Sequence, residues 1–178
     1  MMATKDIFTF PNPVNEVSAR VVAAGVVAMA ATTVATRRRW LLVPLAYGFV
    51  ARALSGPTLS PLGQLATRVI TPRLPVPPKK TPGPPKRFAQ TIGAVISLTA
   101  LVLAFGFRRT KAAYALIGMI GVFATLESGF GFCVGCEMFK IGMRLGLIPE
   151  HVCVECANIW GRAGVRANPR VSEQIAAD

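Results

Sequence analysis

Four cysteines fall into two pairs of one pattern, Cys133-Val-Gly-Cys136 and Cys153-Val-Glu-Cys156, with sixteen residues between the pairs. Thiols at this spacing support two chemistries. As four thiolates they form the tetrahedral shell of a structural zinc ion, for which Cys-x2-Cys-x16-Cys-x2-Cys lies in the usual range. As dithiols they exchange: one thiolate attacks a partner disulfide and its neighbour resolves the mixed intermediate. An iron–sulfur cluster fits less well, because the closely spaced third cysteine of common cluster runs is absent. A merely packing role for the thiols leaves the repeated spacing unexplained.

Zinc carries a geometric condition. If two unbroken helices turned near Leu147, the first pair would sit about twelve residues from the turn and the second about seven, an axial offset of ~7 Å. Sulfurs sharing one zinc must approach within ~4 Å, so a helix would have to bend. Exchange draws support from Lys140, four residues after Cys136, and from the glycine-rich stretch Ser128-Gly-Phe-Gly-Phe132 just before Cys133. His151, two residues before Cys153, reads equally well as a base or as a surface residue at a helix start.

The elements that position these thiols are greasy. Of 178 residues, 52% are apolar, and the formal charge is +12. The twenty Lys and Arg residues flank or separate apolar runs, which is the pattern of membrane borders rather than of a nucleic-acid surface, where exposed aromatics would interleave with the cations. Residues 21–35 and 40–54 form a first transmembrane hairpin around Arg37, Arg38 and Arg39; each run is short for a bilayer and relies on Arg20 and Trp40 at its flanks. A second hairpin spans 88–132, with Arg108, Arg109 and Lys111 at its turn.

Between the hairpins, residues 55–87 combine a short amphipathic helix from Ser60 to Thr71, capped by Ser60 and started by Pro61, with a Pro and Lys linker from Leu74 to Lys86. Residues 1–20 are an N-terminal segment, 133–160 a double Cys-x-x-Cys head with helices over Glu137–Leu145 and from Pro149 to Trp160, and 161–178 a mobile tail. The expected fold class is therefore an all-α polytopic membrane protein with about four transmembrane helices, short amphipathic helices and a Cys-bearing C-terminal segment.

Glu127 interrupts the last span, and a carboxylate there needs a partner. Arg52, at the end of the second span and toward the same membrane face, is the expected one. Such a pair either locks the bundle or relays protons to the thiols. Glu127 and Cys133 lie on different faces of any unbroken helix, so a direct link requires unwinding at Gly129–Gly131. Four spans put both termini, the linker and the cysteines on one face, and that face holds most of the Lys and Arg residues. The expectation is a multi-pass protein of the bacterial cytoplasmic membrane with termini and Cys pairs in the cytoplasm.

Several motifs together, Phe10-Pro-Asn-Pro-Val-Asn-Glu16, Arg52-Ala-Leu-Ser-Gly-Pro-x-x-Ser-Pro61, Arg87-Phe-Ala-Gln-x-Ile-Gly93, Gly129-Phe-Gly-Phe-Cys133-x-Gly-Cys136 and Ile148-Pro-Glu-x-Val-Cys-x-x-Cys-Ala-Asn-Ile-Trp160, resemble the bacterial membrane family called domain of unknown function 4395. The resemblance runs from about Phe10 to Trp160. It implies a multi-span inner-membrane protein without an assigned reaction, with Arg52, Glu127, Cys133 and Cys136 as a shared core and Cys153 and Cys156 as part of a variant ending. It also implies association with thioredoxin-like or sulfurtransferase proteins. The resulting expectation is a membrane thiol or sulfur-handling component that works with a soluble partner through Cys133, Cys136, Cys153 and Cys156. The alternative is a non-catalytic scaffold or complex subunit in which the same four residues bind zinc.

Overall fold

The computed structural model describes residues 10–77, 79–149 and 152–153. Helix α1 (Glu16–Thr36) begins where the Asn15 side chain accepts the Val17 N–H at 3.0 Å and where Glu16 places a carboxylate in the first turn. It starts a turn and a half earlier than the apolar run suggests, because Glu16, Ser18 and Arg20 remain helical while turning toward the rest of the protein. Its threonines satisfy their hydroxyls within the helix, Thr33 on the Met29 carbonyl at 2.7 Å and Thr32 on Ala28 at 2.8 Å. Arg37, in the left-handed region at φ 50°, ends it.

A single 3-10 turn, Arg39–Leu41, leads into α2 (Leu42–Ser55). After Gly56, the Ser60 hydroxyl caps α3 (Pro61–Gln64) by accepting the Gly63 N–H at 3.2 Å, with Pro61 at the first helical position. The coil then widens over Leu65–Ile70 into a π turn and tightens over Thr71–Arg73 into a 3-10 turn. This is the expected amphipathic element, less regular than its periodicity implied.

The linker differs from expectation. Two residues of it, Lys80–Thr81 (β2), pair antiparallel with Val14–Asn15 (β1), and its last residues already belong to α4 (Gly83–Phe105). Pro84 and Pro85 lie in the first helical turn, where a missing N–H costs nothing, so a proline tract that cannot continue a helix can still start one. The Gly83 N–H is taken by the Asn12 side chain at 2.9 Å. Lys86 thus sits inside a helix.

Helix α5 (Thr110–Phe130) ends at Gly131, whose φ of 69° reverses the chain. Arg20 donates to the Ser128 and Gly129 carbonyls left free there, at 3.2 and 2.7 Å. Helix α6 (Val134–Arg144) follows three residues after α5, with Cys133 as its N-cap, and so begins earlier than the expected Glu137. The remainder of the expected head and the tail, residues 154–178 with Cys156, lie outside the described residues, as does His151.

The helices α1, α2, α4 and α5 run up and down in one bundle: α1 packs on α5, α2 on α4, and α4 on α5 and α6. Small residues line the seams, among them Ala30, Ala94, Ala100, Ala104, Ala113 and Ala124, as suits helices packed without a hydrophobic drive between them. Large apolar side chains such as Val95, Val102, Val122 and Phe123 face outward, while Ser18, Thr33, Arg52, Ser55, Ser60, Lys86 and Ser97 are buried. That inversion suits a lipid solvent. Among the described residues, three helices are long and apolar enough to cross a membrane: Glu16–Thr36, Gly83–Phe105 and Thr110–Phe130. The expected fourth, α2, has only 14 residues.

Candidate functional site at the Cys133 end of the bundle

Cys133 is the N-cap residue of α6, and Cys136 lies in its first turn. A three-residue step along a helix returns to nearly the same face, so the two sulfurs meet above the helix start. Both are free thiols, and Cys136 hydrogen-bonds to Cys133. That bond holds Cys133 below the ordinary thiol value; the Lys86 ammonium acts in the same direction, while burial and the Glu127 carboxylate oppose it. The same hydrogen bond, together with burial, pushes Cys136 far above its ordinary value. The two shifts run in opposite directions and make Cys133 the more acidic thiol of the pair.

What presses α6 into place is Gly135, between the two cysteines. A Cβ there would lie 2.5 Å from the Ala89 Cβ and 2.7 Å from its Cα on α4. Only a residue without a side chain lets α6 lie this close to α4. Cys133 is 8% exposed, and it is reached through a cavity of about 290 Å³ that also touches Cys136, Lys86, Lys140 and Glu16. Two ion pairs border this opening, Lys79 with Glu16 at 2.9 Å and Lys140 with Glu137 at 2.6 Å.

The intramembrane charge is arranged differently from the expected Arg52–Glu127 pair. Glu127 is paired with Lys86, both largely buried. Arg52 does not reach Glu127; its Nε donates to the Gln90 side chain at 2.9 Å, its Nη1 to the Ser60 hydroxyl at 3.3 Å, and its guanidinium stacks 4.7 Å from the Phe49 ring centre. The reason lies in the early start of α4, which carries Lys86 to the carboxylate and puts Gln90, one turn on, opposite Arg52. Lys86 is the site residue that sequence reasoning missed by assigning it to the linker; Pro84-Pro85 immediately before it was the available signal for a helix start. The turn at Gly131, rather than unwinding within α5, brings Cys133 back beside Glu127, and both border one narrow cavity of about 90 Å³.

Of the second cysteine pair, Cys153 is the member among the described residues. Cys153 is disulfide-bonded and 4% exposed, and it clusters with Phe139, Phe88, Met143 and Ile148. Phe139 lies one helical turn beyond Cys136. Among the described residues, no three His, Cys, Asp or Glu side chains gather as a metal group. The four-thiolate site expected as an alternative would need Cys133, Cys136 and Cys153 to converge as thiolates, and here two are free while the third is oxidised and packed among aromatic and aliphatic side chains.

Comparison with curated proteins and with solved structures gives no match. The family comparison does: a family profile described as domain of unknown function (DUF4395) matches residues 14–144, which include Arg52, Lys86, Glu127, Cys133 and Cys136 and stop short of Cys153. With nearly three quarters of its length matched, and with the motifs around Arg52, Gln90 and Cys133 inside the match, the chain belongs to the DUF4395 family.

Proposed function

We propose that the chain is a membrane dithiol that exchanges disulfides, or passes sulfur, with a soluble thioredoxin-like or sulfurtransferase partner. One observation carries this reading: Cys133 stands at the start of a helix with its partner thiol hydrogen-bonded to it and a lysine ammonium beside it, in a cavity open to the polar end of the bundle. In the reaction, the Cys133 thiolate attacks one sulfur of the partner's disulfide, forming a mixed disulfide and releasing the other partner sulfur as a thiolate that takes up a proton. Cys136 then gives up its proton and attacks the Cys133 sulfur, which closes the Cys133–Cys136 disulfide and frees the partner's second thiol. The partner is reduced by two electrons and this chain is oxidised by two; the reverse sequence delivers a disulfide.

The membrane setting belongs to the same proposal. Helix α2 rises ~21 Å and the 3-10 turn before it adds ~6 Å, which approaches the ~30 Å of bilayer hydrocarbon and supports α2 as a fourth span. Lys79, Lys80, Arg87, Lys140 and Arg144 surround the thiol end, which supports a cytoplasmic cysteine face in a bacterial inner membrane. A reporter fused after Asp178 reads that orientation directly.

The chemistry is tested on purified protein treated with oxidised glutathione and mapped by peptide mass spectrometry. Wild type acquires a Cys133–Cys136 disulfide that a dithiol reverses. Cys136→Ser instead accumulates a glutathione adduct on Cys133. Absence of both products in folded protein would sink the exchange reading.

A further inference from the structure

A buried charge imbalance sits beside the thiol site, and its arginine takes no part in the exchange chemistry. Arg52 is 5% and Lys86 7% exposed, and among the described residues Glu127 is the one carboxylate paired with either. Two cations are therefore accompanied by one anion inside the bundle, and that anion is taken by Lys86. Arg52 uses Nε and Nη1 on the neutral side chains of Gln90 and Ser60, which leaves Nη2 without a partner among the described residues. A guanidinium's remaining donors favour a paired-oxygen acceptor.

Space for such an acceptor is present. Arg52 and Lys86 border a common cavity of about 180 Å³, together with Asn15, Ser18, Thr67 and Gln90. No acidic side chain lines it among the described residues. Its remaining walls are apolar, contributed by Pro11, Val14, Val22 and Pro57. At ~30 Å³ per water it has room for an anionic group of a few heavy atoms.

We infer that this cavity binds a singly charged oxyanion with two equivalent oxygens, a carboxylate or a phosphodiester, held between Arg52 Nη2 and the Lys86 ammonium. One negative charge balances the surplus of two cations over Glu127. The apolar walls accept a short hydrocarbon or glycerol neighbour, so the group arrives either as a free small anion or as the headgroup of an anionic lipid.

Thermal unfolding at constant ionic strength tests this without any thiol reaction, so its result is separate from that of the exchange proposal. In lipid-free detergent, acetate or dimethyl phosphate raises the wild-type midpoint in a saturable way if the free anion is the ligand. In nanodiscs, phosphatidylglycerol raises it over phosphatidylcholine if the lipid is. Two variants then separate electrostatics from packing, because both break the same ion pair. Glu127→Gln removes the competing carboxylate and tightens the responsive anion by tenfold or more; Lys86→Gln removes a cation and weakens it by tenfold or more. A response that falls in both variants, or no response to any of the three anions in wild type, overturns the inference. If Lys86→Gln does not fold, Glu127→Gln decides alone, since a purely structural pair predicts weaker binding there.

Discussion

The two ends of this helix bundle both carry clusters of cations and use them in opposite ways. At the end bearing Arg37, Arg38, Arg39, Arg108, Arg109 and Lys111, all six side chains are exposed. The contacts there are modest: Tyr114 donates its hydroxyl to the Arg37 carbonyl, and Arg39 lies 5.9 Å over the Phe105 ring. At the other end, Arg52 and Lys86 are drawn inside, Arg20 closes the end of α5, and Glu127 is enclosed with them. Exposed arginines beside a bilayer reach headgroups and water at little cost. Cations pulled into the bundle are expensive and mark the end where specific work is done.

The largest expected difference between the ends comes from Lys86→Met, which strands Glu127 and lowers unfolding stability by ~3–5 kcal/mol in detergent melts. In a double-mutant cycle, Lys86 and Glu127 couple more strongly than Arg52 and Glu127, within the ~0.5–3 kcal/mol typical of contacting charges. Equal couplings would mean that Arg52 and Lys86 trade places on the carboxylate. Next in size, Gly135→Leu wedges α6 away from Ala89 and costs ~1–3 kcal/mol, with faster alkylation of Cys133 as its cover loosens.

A smaller effect isolates the thiols. Removing the hydrogen-bond donor in Cys136→Ala raises the Cys133 pKa toward the ordinary thiol value, since the thiolate loses its strongest support. At neutral pH less thiolate is present, so the rate profile for alkylation with iodoacetamide moves to higher pH; an unmoved profile breaks the assignment of Cys136 as donor. Smallest of all, Arg38→Ala at the opposite end shifts stability by no more than ~0.5 kcal/mol. A loss there comparable to that of Lys86→Met would erase the contrast between the ends.

The parts legible in the sequence were those governed by one strong local rule. Long apolar runs marked α4 and α5, and Ser60-Pro61 marked the start of α3. What escaped reading depended on helix boundaries and on contacts across the chain. The prolines before Lys86 can end a helix or open one, and choosing wrongly moved Lys86 into a linker and left Glu127 with Arg52 as its nearest visible partner. Likewise Gly135 counts against a helix by propensity, which placed the start of α6 at Glu137. Its close approach to Ala89 on α4 explains the glycine, and that contact joins residues distant in sequence. The ladder between Val14–Asn15 and Lys80–Thr81 is two residues long and too brief to leave a pattern.

The pairing of Lys86 with Glu127 also bears on how the chain is made. Both residues belong to the second hairpin, on α4 and α5, so that hairpin carries its own counter-ion and can leave the insertion machinery already neutralised. The first hairpin has no such provision: Arg52 emerges before Ser60 and well before Gln90, its two hydrogen-bonding side chains. During synthesis that guanidinium must stay near the aqueous border until α4 arrives. Arg52 therefore has its full set of hydrogen-bond acceptors only once the chain has been made as far as Gln90.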